Sequence, residues 1–215
     1  MSVRIFLGDA REQIVQAGHA DIVITDPVWP NCPAGLLSGW DRPGALLREA
    51  LEVMPTSVRT VVIVLRSDSD PRFLQAVPER WPFLCVQVMS YAAQTYVGGV
   101  LATELAYCFG TSIASRSGRD VVPMWGPEAP VSPGPANGHP CPRAAVHMEW
   151  LVDCWSEPGE TVLDPFCGSG TIPIAADRML RHGIGIEIEP HYVEAAIERT
   201  VGLKPAADNR SLLHP

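Results

Sequence analysis

At 215 residues, 47% of them hydrophobic, the chain is long enough to bury the core of one α/β domain. Its net charge of −8 excludes strong non-specific adsorption to polynucleotides, which is chiefly neutralisation of phosphates by Lys and Arg. No apolar run approaches the ~20 residues of a membrane span, and the N-terminus breaks to charge too soon for a signal peptide.

In chain order, Val3 to Leu7 reads as a short strand ended by Gly8-Asp9, and Arg11 to Ala17 as a helix stopped at Gly18. Asp21 to Thr25 is too apolar to face water on one side, which predicts a buried parallel strand. It runs straight into Asp26-Pro27-Val28-Trp29. Asn31 to Pro43 reads as a loop, Gly44 to Val53 as a helix and Thr60 to Leu65 as another buried strand. Pro71 to Trp81 suggests a helix with proline in its first turn, which Pro78 would end early. Phe83 to Ser90 and Thr103 to Phe109 read as strands, joined through Tyr91 to Val100 as a long hairpin or lid.

Residues 113–142 are rich in Pro, Gly and Ser and form the longest stretch without predicted structure. Pro142 to Trp155 is an amphipathic helix. Glu160 to Asp164 is a strand, Thr171 to Arg181 a helix, Ile184 to Ile186 a strand closed by Glu187, and Pro190 to Arg199 the last helix. Residues 1–203 are expected to form a single domain, with 204–215 a flexible tail. About seven strands alternating with helices predict a doubly wound, mostly parallel α/β sheet. The cysteines at 32, 85, 108, 141, 154 and 167 are scattered, without a CxxC pair or zinc-like His spacing, and read as reduced thiols of a cytoplasmic protein that holds no metal.

Chemistry concentrates at strand ends. Asp164-Pro-Phe-Cys-Gly168-Ser-Gly170-Thr171 is a strand, a glycine-rich turn and the start of a helix, placed where α/β sheets bind ligands. Glu187, at the end of the next strand, is suited to the two hydroxyls of a ribose. A lone Gly-x-Gly is equally a packed turn. Asp9, Asp26, Asp164 and Glu187 all close predicted strands, so parallel pairing would gather four carboxylates on one edge. The Asp26 carboxylate beside the Pro27 carbonyl makes two acceptors, matching the two N–H bonds of an exocyclic amine, and Trp29 offers a stacking surface; alone, this stretch is better read as a rigid strand-end turn with a core tryptophan.

Together these segments resemble the DNA amino-methyltransferases that methylate adenine N6 or cytosine N4 with S-adenosylmethionine. Asp26 to Trp29 is similar to their catalytic (D/N/S)-P-P-(Y/F/W), with Val28 at the second proline; Asp164 to Thr171 matches their D-P-F-x-G-S-G-T. His139-Pro140-Cys141-Pro142-Arg143-Ala144 resembles H-P-x-x-K-P, with arginine at the lysine position. Gly185, Glu187 and Tyr192 match G-x-E-x-x-x-x-Y, and Leu7 to Ala10 resembles an L-G-D-A strand end. The catalytic motif precedes the cofactor motif, the circularly permuted order of the beta class. The resemblance implies a Rossmann-like methyltransferase fold with Asp26, Pro27 and Trp29 catalytic. It implies that Asp9, Arg143, Asp164, Phe166, Gly168, Gly170, Thr171 and Glu187 hold S-adenosylmethionine.

The implied activity is site-specific transfer of a methyl group to a flipped-out base, adenine N6 favoured because aspartate opens the catalytic motif. No long insertion separates the motifs, so residues 31–43 and 113–138 are what remains to touch a polynucleotide. This predicts weak DNA binding with a preference for single-stranded or distorted DNA, no membrane partner, and a homodimer or specificity partner as the source of further contacts. Two readings stand beside it: a methyltransferase-fold binding module impaired in catalysis by Val28, and an amino-methyltransferase acting on RNA or a free nucleotide. A Pro-Cys nucleophile at Cys32 or Cys141, as in cytosine-C5 enzymes, is disfavoured by the motif order.

Overall fold

A computed structural model of the chain describes residues 3–93, 96–97, 100–101, 103–111, 121–130 and 142–201. Its elements are β1 (Val3–Leu7), α1 (Ala10–Ala17), β2 (Ile22–Thr25), α2 (Pro43–Glu52), β3 (Thr60–Arg66), a 3-10 turn (Pro71–Ala76), β4 (Phe83–Tyr91), β5 (Tyr96–Val97) and β6 (Val100–Leu101). There follow β7 (Glu104–Gly110), β8 (Trp125–Ala129), α3 (Ala145–Trp155), β9 (Thr161–Asp164), α4 (Thr171–Arg178), β10 (His182–Glu187) and α5 (Pro190–Val201). The expected residues His139, Pro140 and Cys141, and the tail from Gly202, lie outside the described residues.

Eight strands form one sheet in the order β1-β10-β9-β2-β3-β7-β4-β8, and β5 and β6 pair as a separate small hairpin. From β1 through β3 every neighbour is parallel. β7 pairs antiparallel with both β3 and β4, and β8 runs parallel to β4. Only β7 therefore runs against the rest of this sheet. The architecture is a doubly wound, mostly parallel α/β sheet.

Alternation along the central strands divides the apolar side chains between two faces. On β3, Val61, Ile63 and Leu65 join one buried cluster with Leu47 and Leu51 of α2 and Ile14 of α1. Val62 and Val64 join the other, with Met148, Leu151 and Trp155 of α3 and Ile172 of α4. Helices cover both faces, which is why β2 and β3 read as unbroken apolar runs. Each fully buried Ile or Leu contributes about 1.5–3 kcal/mol. α4 lies so close to the sheet that a Cβ on Gly183 of β10 would stand 2.1 Å from the carbonyl oxygen of Pro173.

Two expectations are corrected. The segment from Pro71 is a six-residue 3-10 turn, not a helix reaching Trp81. The Pro/Gly-rich stretch at 113–142 contains a strand: β8 adds an eighth member at the sheet edge. Pro127 lacks a donor for a ladder on both sides, and an edge is where a strand tolerates that.

Candidate active site

The first wall of the site grows from β2. All four residues of the strand are buried, and the chain leaves the sheet at Asp26. Pro27 is buried behind it; Trp29 is half-buried, its ring packed on the cluster formed by α1, α2 and β3. Its carbonyl accepts from the backbone N–H of Cys32 at 3.0 Å, which turns the chain into the following loop. One flank of the indole is thus held by the core while part of it stays open.

Asp26 is held by Arg143, two residues before α3. Arg143 Nε donates to Asp26 Oδ2 and Nη2 to Oδ1, both at 2.7 Å, a two-pronged pair in which one planar group faces another. Arg143 Nη1 reaches Glu104 Oε1 at 3.2 Å. Burial opposes the Arg143 charge, but the fields of Asp26 and Glu104 outweigh it and raise the guanidinium further above its ordinary range.

β9 supplies the second wall. Asp164 is buried, accepting from the Thr25 hydroxyl at 2.7 Å and from the Phe166 N–H at 3.1 Å. Burial pushes its carboxyl up to about 7; the bonds from Thr25 and Phe166 pull against that, while the charges of Asp26 and Glu187 add to it. The turn that follows needs its glycines. Gly168 and Gly170 have φ of 50° and 82°, in the left-handed region, and Gly170 opens α4. Arg199 of α5 clamps the turn from outside, Nη1 donating to the Ser169 carbonyl, to Ser169 Oγ at 3.1 Å and to Thr171 Oγ1 at 3.3 Å.

Glu187 ends β10 beside that turn. Its Oε2 accepts from Gly168 N–H and its Oε1 from Glu189 N–H, both at 2.9 Å. Burial raises its carboxyl, and these backbone bonds partly counter the rise. With a further backbone bond from Ile188, the carboxylate still keeps acceptor capacity for a hydroxyl donor. Asp9 is arranged differently. It caps α1, accepting from Arg11 N at 2.9 Å, and pairs with Arg11 Nε at 2.9 Å and Nη2 at 2.6 Å. The side-chain hydrogen bond from Arg11 is the chief cause that lowers its pKa.

The strand order puts Asp9, Glu187, Asp164 and Asp26 at the ends of four successive strands, β1, β10, β9 and β2, as the sequence implied. One pocket brings together Asp26, Arg143, Asp164, Phe166, Gly168 and Thr171, with Cys167, Ser169, Ile172 and Pro142 completing its lining. Pro27, Trp29, Gly170, Glu187 and Asp9 frame that edge without lining the pocket. Cys167 is buried there, and burial raises its thiol well above the ordinary range, as suits an inert wall residue. Sequence reasoning missed Arg199 and the group behind Arg143, namely Glu104, Tyr91 and His147. No local pattern marks any of them.

The comparisons with known proteins agree with this geometry. Residues 105–198 match the family model described as DNA methylase, the N6/N4 type. The chain is similar to the type II methyltransferase M.HpaI of Haemophilus parainfluenzae, 41% identical over 61 residues, which cover 28% of this chain and 19% of that protein. To M.Cfr9I of Citrobacter freundii it is 45% identical over 47 residues, 22% of this chain and 16% of that one. The matched segments thus span less than a fifth of either relative. Among solved structures, the M1.HpyAVI–SAM complex superposes with a TM-score of 0.67 at 20% identity, covering 94% of this chain and all of that one. PvuII DNA methyltransferase, described as cytosine-N4-specific, gives 0.61 at 16% identity over 95% and 87% of the two chains. These likenesses establish the fold. No helix among the described residues is long and apolar enough to cross a membrane.

Proposed function

We propose that the protein transfers a methyl group from S-adenosylmethionine to the exocyclic amine of a base in DNA, adenine N6 in preference to cytosine N4. The observation that carries this is the adjacency of β2 and β9: Asp26 and the Asp164–Thr171 turn meet around one pocket. The donor set suits the cofactor. Glu187 keeps acceptor capacity for ribose hydroxyls, Phe166 lies half-buried on the turn, and Arg143 uses three of its five N–H groups on Asp26 and Glu104, leaving two for a ligand carboxylate. Gly168, Gly170, Thr171 and Asp164 shape the turn. Asp9, whose oxygens are engaged by Arg11, has the least room of the expected set.

When bound, the sulfonium supplies an electrophilic methyl group. The residues of this chain supply alignment. An exocyclic amine is a poor nucleophile because its lone pair is delocalised into the ring. Asp26 and the Pro27 carbonyl would accept its two N–H hydrogen bonds, which pyramidalises the nitrogen and draws its lone pair out of conjugation with the ring. As the N–C bond forms and the S–C bond breaks, one N–H proton would pass to the Asp26 carboxylate and on to solvent, and the thioether product would leave. Holding the reactants in line is the larger part of the catalysis. A base reaches such a pocket only when flipped out of the stack, which costs a few kcal/mol. Stacking on Trp29, about 1–3 kcal/mol, offsets part of that. The preference for adenine rests on the aspartate at position 26.

Tritium transfer from labelled S-adenosylmethionine to DNA, RNA and free nucleotides tests this. Label in DNA on adenine N6 is the expected outcome. Label only in RNA or nucleotides would move the substrate, and cofactor binding without transfer to any amine would leave a binding module.

A further inference from the structure

The reversal of β7 brings a second set of groups to the carboxyl edge. A strand running against its neighbours presents its first residue where they present their last. Glu104, the first residue of β7, is accordingly opposite Arg66, the last residue of β3, and opposite Met89 near the end of β4. Its side chain is 3% exposed and collects three partners. Oε1 accepts from the Tyr91 hydroxyl and from Arg143 Nη1, and Oε2 lies 2.6 Å from His147 Nδ1. His147 is fully buried in the first turn of α3, and its Nε2 faces the Ser90 carbonyl at 3.1 Å. Both ring nitrogens thus face oxygen acceptors, and both bonds form together only when each nitrogen carries hydrogen. Burial opposes the Glu104 charge, but His147, Arg143 and Tyr91 outweigh it and hold the carboxyl below its usual range.

We propose that Glu104 is a positioning residue for the reaction: anchored by Tyr91 and His147, it fixes the Arg143 guanidinium, which in turn fixes the place and plane of the Asp26 carboxylate. This rests on the reading of Asp26 as the acceptor for the substrate amine. The two-pronged bond makes Asp26 and Arg143 one planar unit. With nothing behind it, that unit would swing about the torsions of both side chains. The bond from Nη1 to an anchored, buried carboxylate removes the freedom. Control over position matters here because a misplacement of about 1 Å costs on the order of a hundredfold in rate.

The test uses the full chain with Glu104→Gln, which keeps shape and loses charge. Two readouts are taken: the side-chain Nε–H resonance of Arg143, assigned by its disappearance in Arg143→Lys, and steady-state methyl transfer. We expect the Nε–H signal of Glu104→Gln to move or broaden while the backbone amide spectrum is kept. We expect kcat to fall about ten- to a hundredfold, with the KM for DNA nearly unchanged. If either the signal or kcat stays at its wild-type value, the proposal is overturned. If Glu104→Gln does not fold, Tyr91→Phe, which removes one anchor, is judged by the same two readouts. Should the wild type methylate nothing, it is the functional reading that fails; the Arg143 signal alone then decides whether Glu104 positions it.

Discussion

Thr25 Oγ1 donates to Asp164 Oδ1 at 2.7 Å, a buried hydrogen bond between the last residues of two neighbouring strands, 139 positions apart in sequence. It joins the strand that carries Asp26 to the strand that carries the glycine turn, so the two walls of the pocket are tied together.

Asp164 makes stability depend on pH. Its folded pKa is raised to about 7 from an ordinary ~3.9, with burial the main cause. For a raised carboxyl the sign is the reverse of a salt-bridged one: the contribution is fully present below the unfolded value and is lost as pH climbs through about 7. The loss is on the order of 4 kcal/mol. Asp164→Asn should therefore remove a fall in stability between about pH 4 and pH 7, and should be more stable than the wild type at pH 8. Denaturant unfolding of both proteins across that range checks it; parallel profiles would show that Asp164 is not buried as described.

Glu187→Gln tests the cofactor site. The amide keeps one acceptor but places an NH₂ group against either Gly168 N–H or Glu189 N–H. Losing a hydrogen bond to a charged group costs about 1.5–3 kcal/mol, or ten- to a hundredfold in affinity. Calorimetry with S-adenosylhomocysteine reads this directly, and unchanged affinity would remove Glu187 from the site.

Asp26→Ala should abolish methyl transfer while the protein still binds cofactor. Arg143 loses its main partner in that variant but keeps Glu104. The expected stability cost is therefore below the 3–5 kcal/mol of a fully orphaned buried charge. A variant that remained active on the wild type's substrates would overturn the proposed chemistry.

Nucleic-acid binding should be weak, with a shallow salt dependence. The chain carries a net charge of −8, and Arg42, at the end of the loop after Trp29, already pairs with Glu49. At a slope of about −0.9 per phosphate contact, two or three contacts give roughly −2 to −3. Single-stranded oligonucleotides should be methylated better than matched duplexes, because the unstacking cost is then smaller. A salt series on both substrates measures it. A steep slope on duplex would point to basic contacts outside the described residues.

What was legible in the sequence was local. Asp164 to Thr171 and Asp26 to Trp29 are continuous segments whose residue types dictate a turn and a strand end, and both form as expected. Their meeting followed from parallel pairing. Glu104 was illegible for the same reason in reverse: an acid at the start of a strand faces the cleft only if that strand runs backwards, and strand direction is settled by the sheet, not by the segment. β8 was hidden because Gly126 and Pro127 read as breakers, and the edge position that accommodates them exists only once β4 is placed. Arg199 acts on the turn through the packing of α5, which no spacing within α5 announces.

The close approach of α4 to β10 has a consequence for the turn itself. Gly183 has no side chain, and the Pro173 carbonyl fills the space a methyl group would need. That missing atom works as a gauge: it sets the height at which the first turn of α4, and with it Ser169 and Gly170, rides above the sheet. An alanine at 183 would act as a shim, lifting the loop away from Asp164 and Glu187 without touching a single residue that faces the pocket.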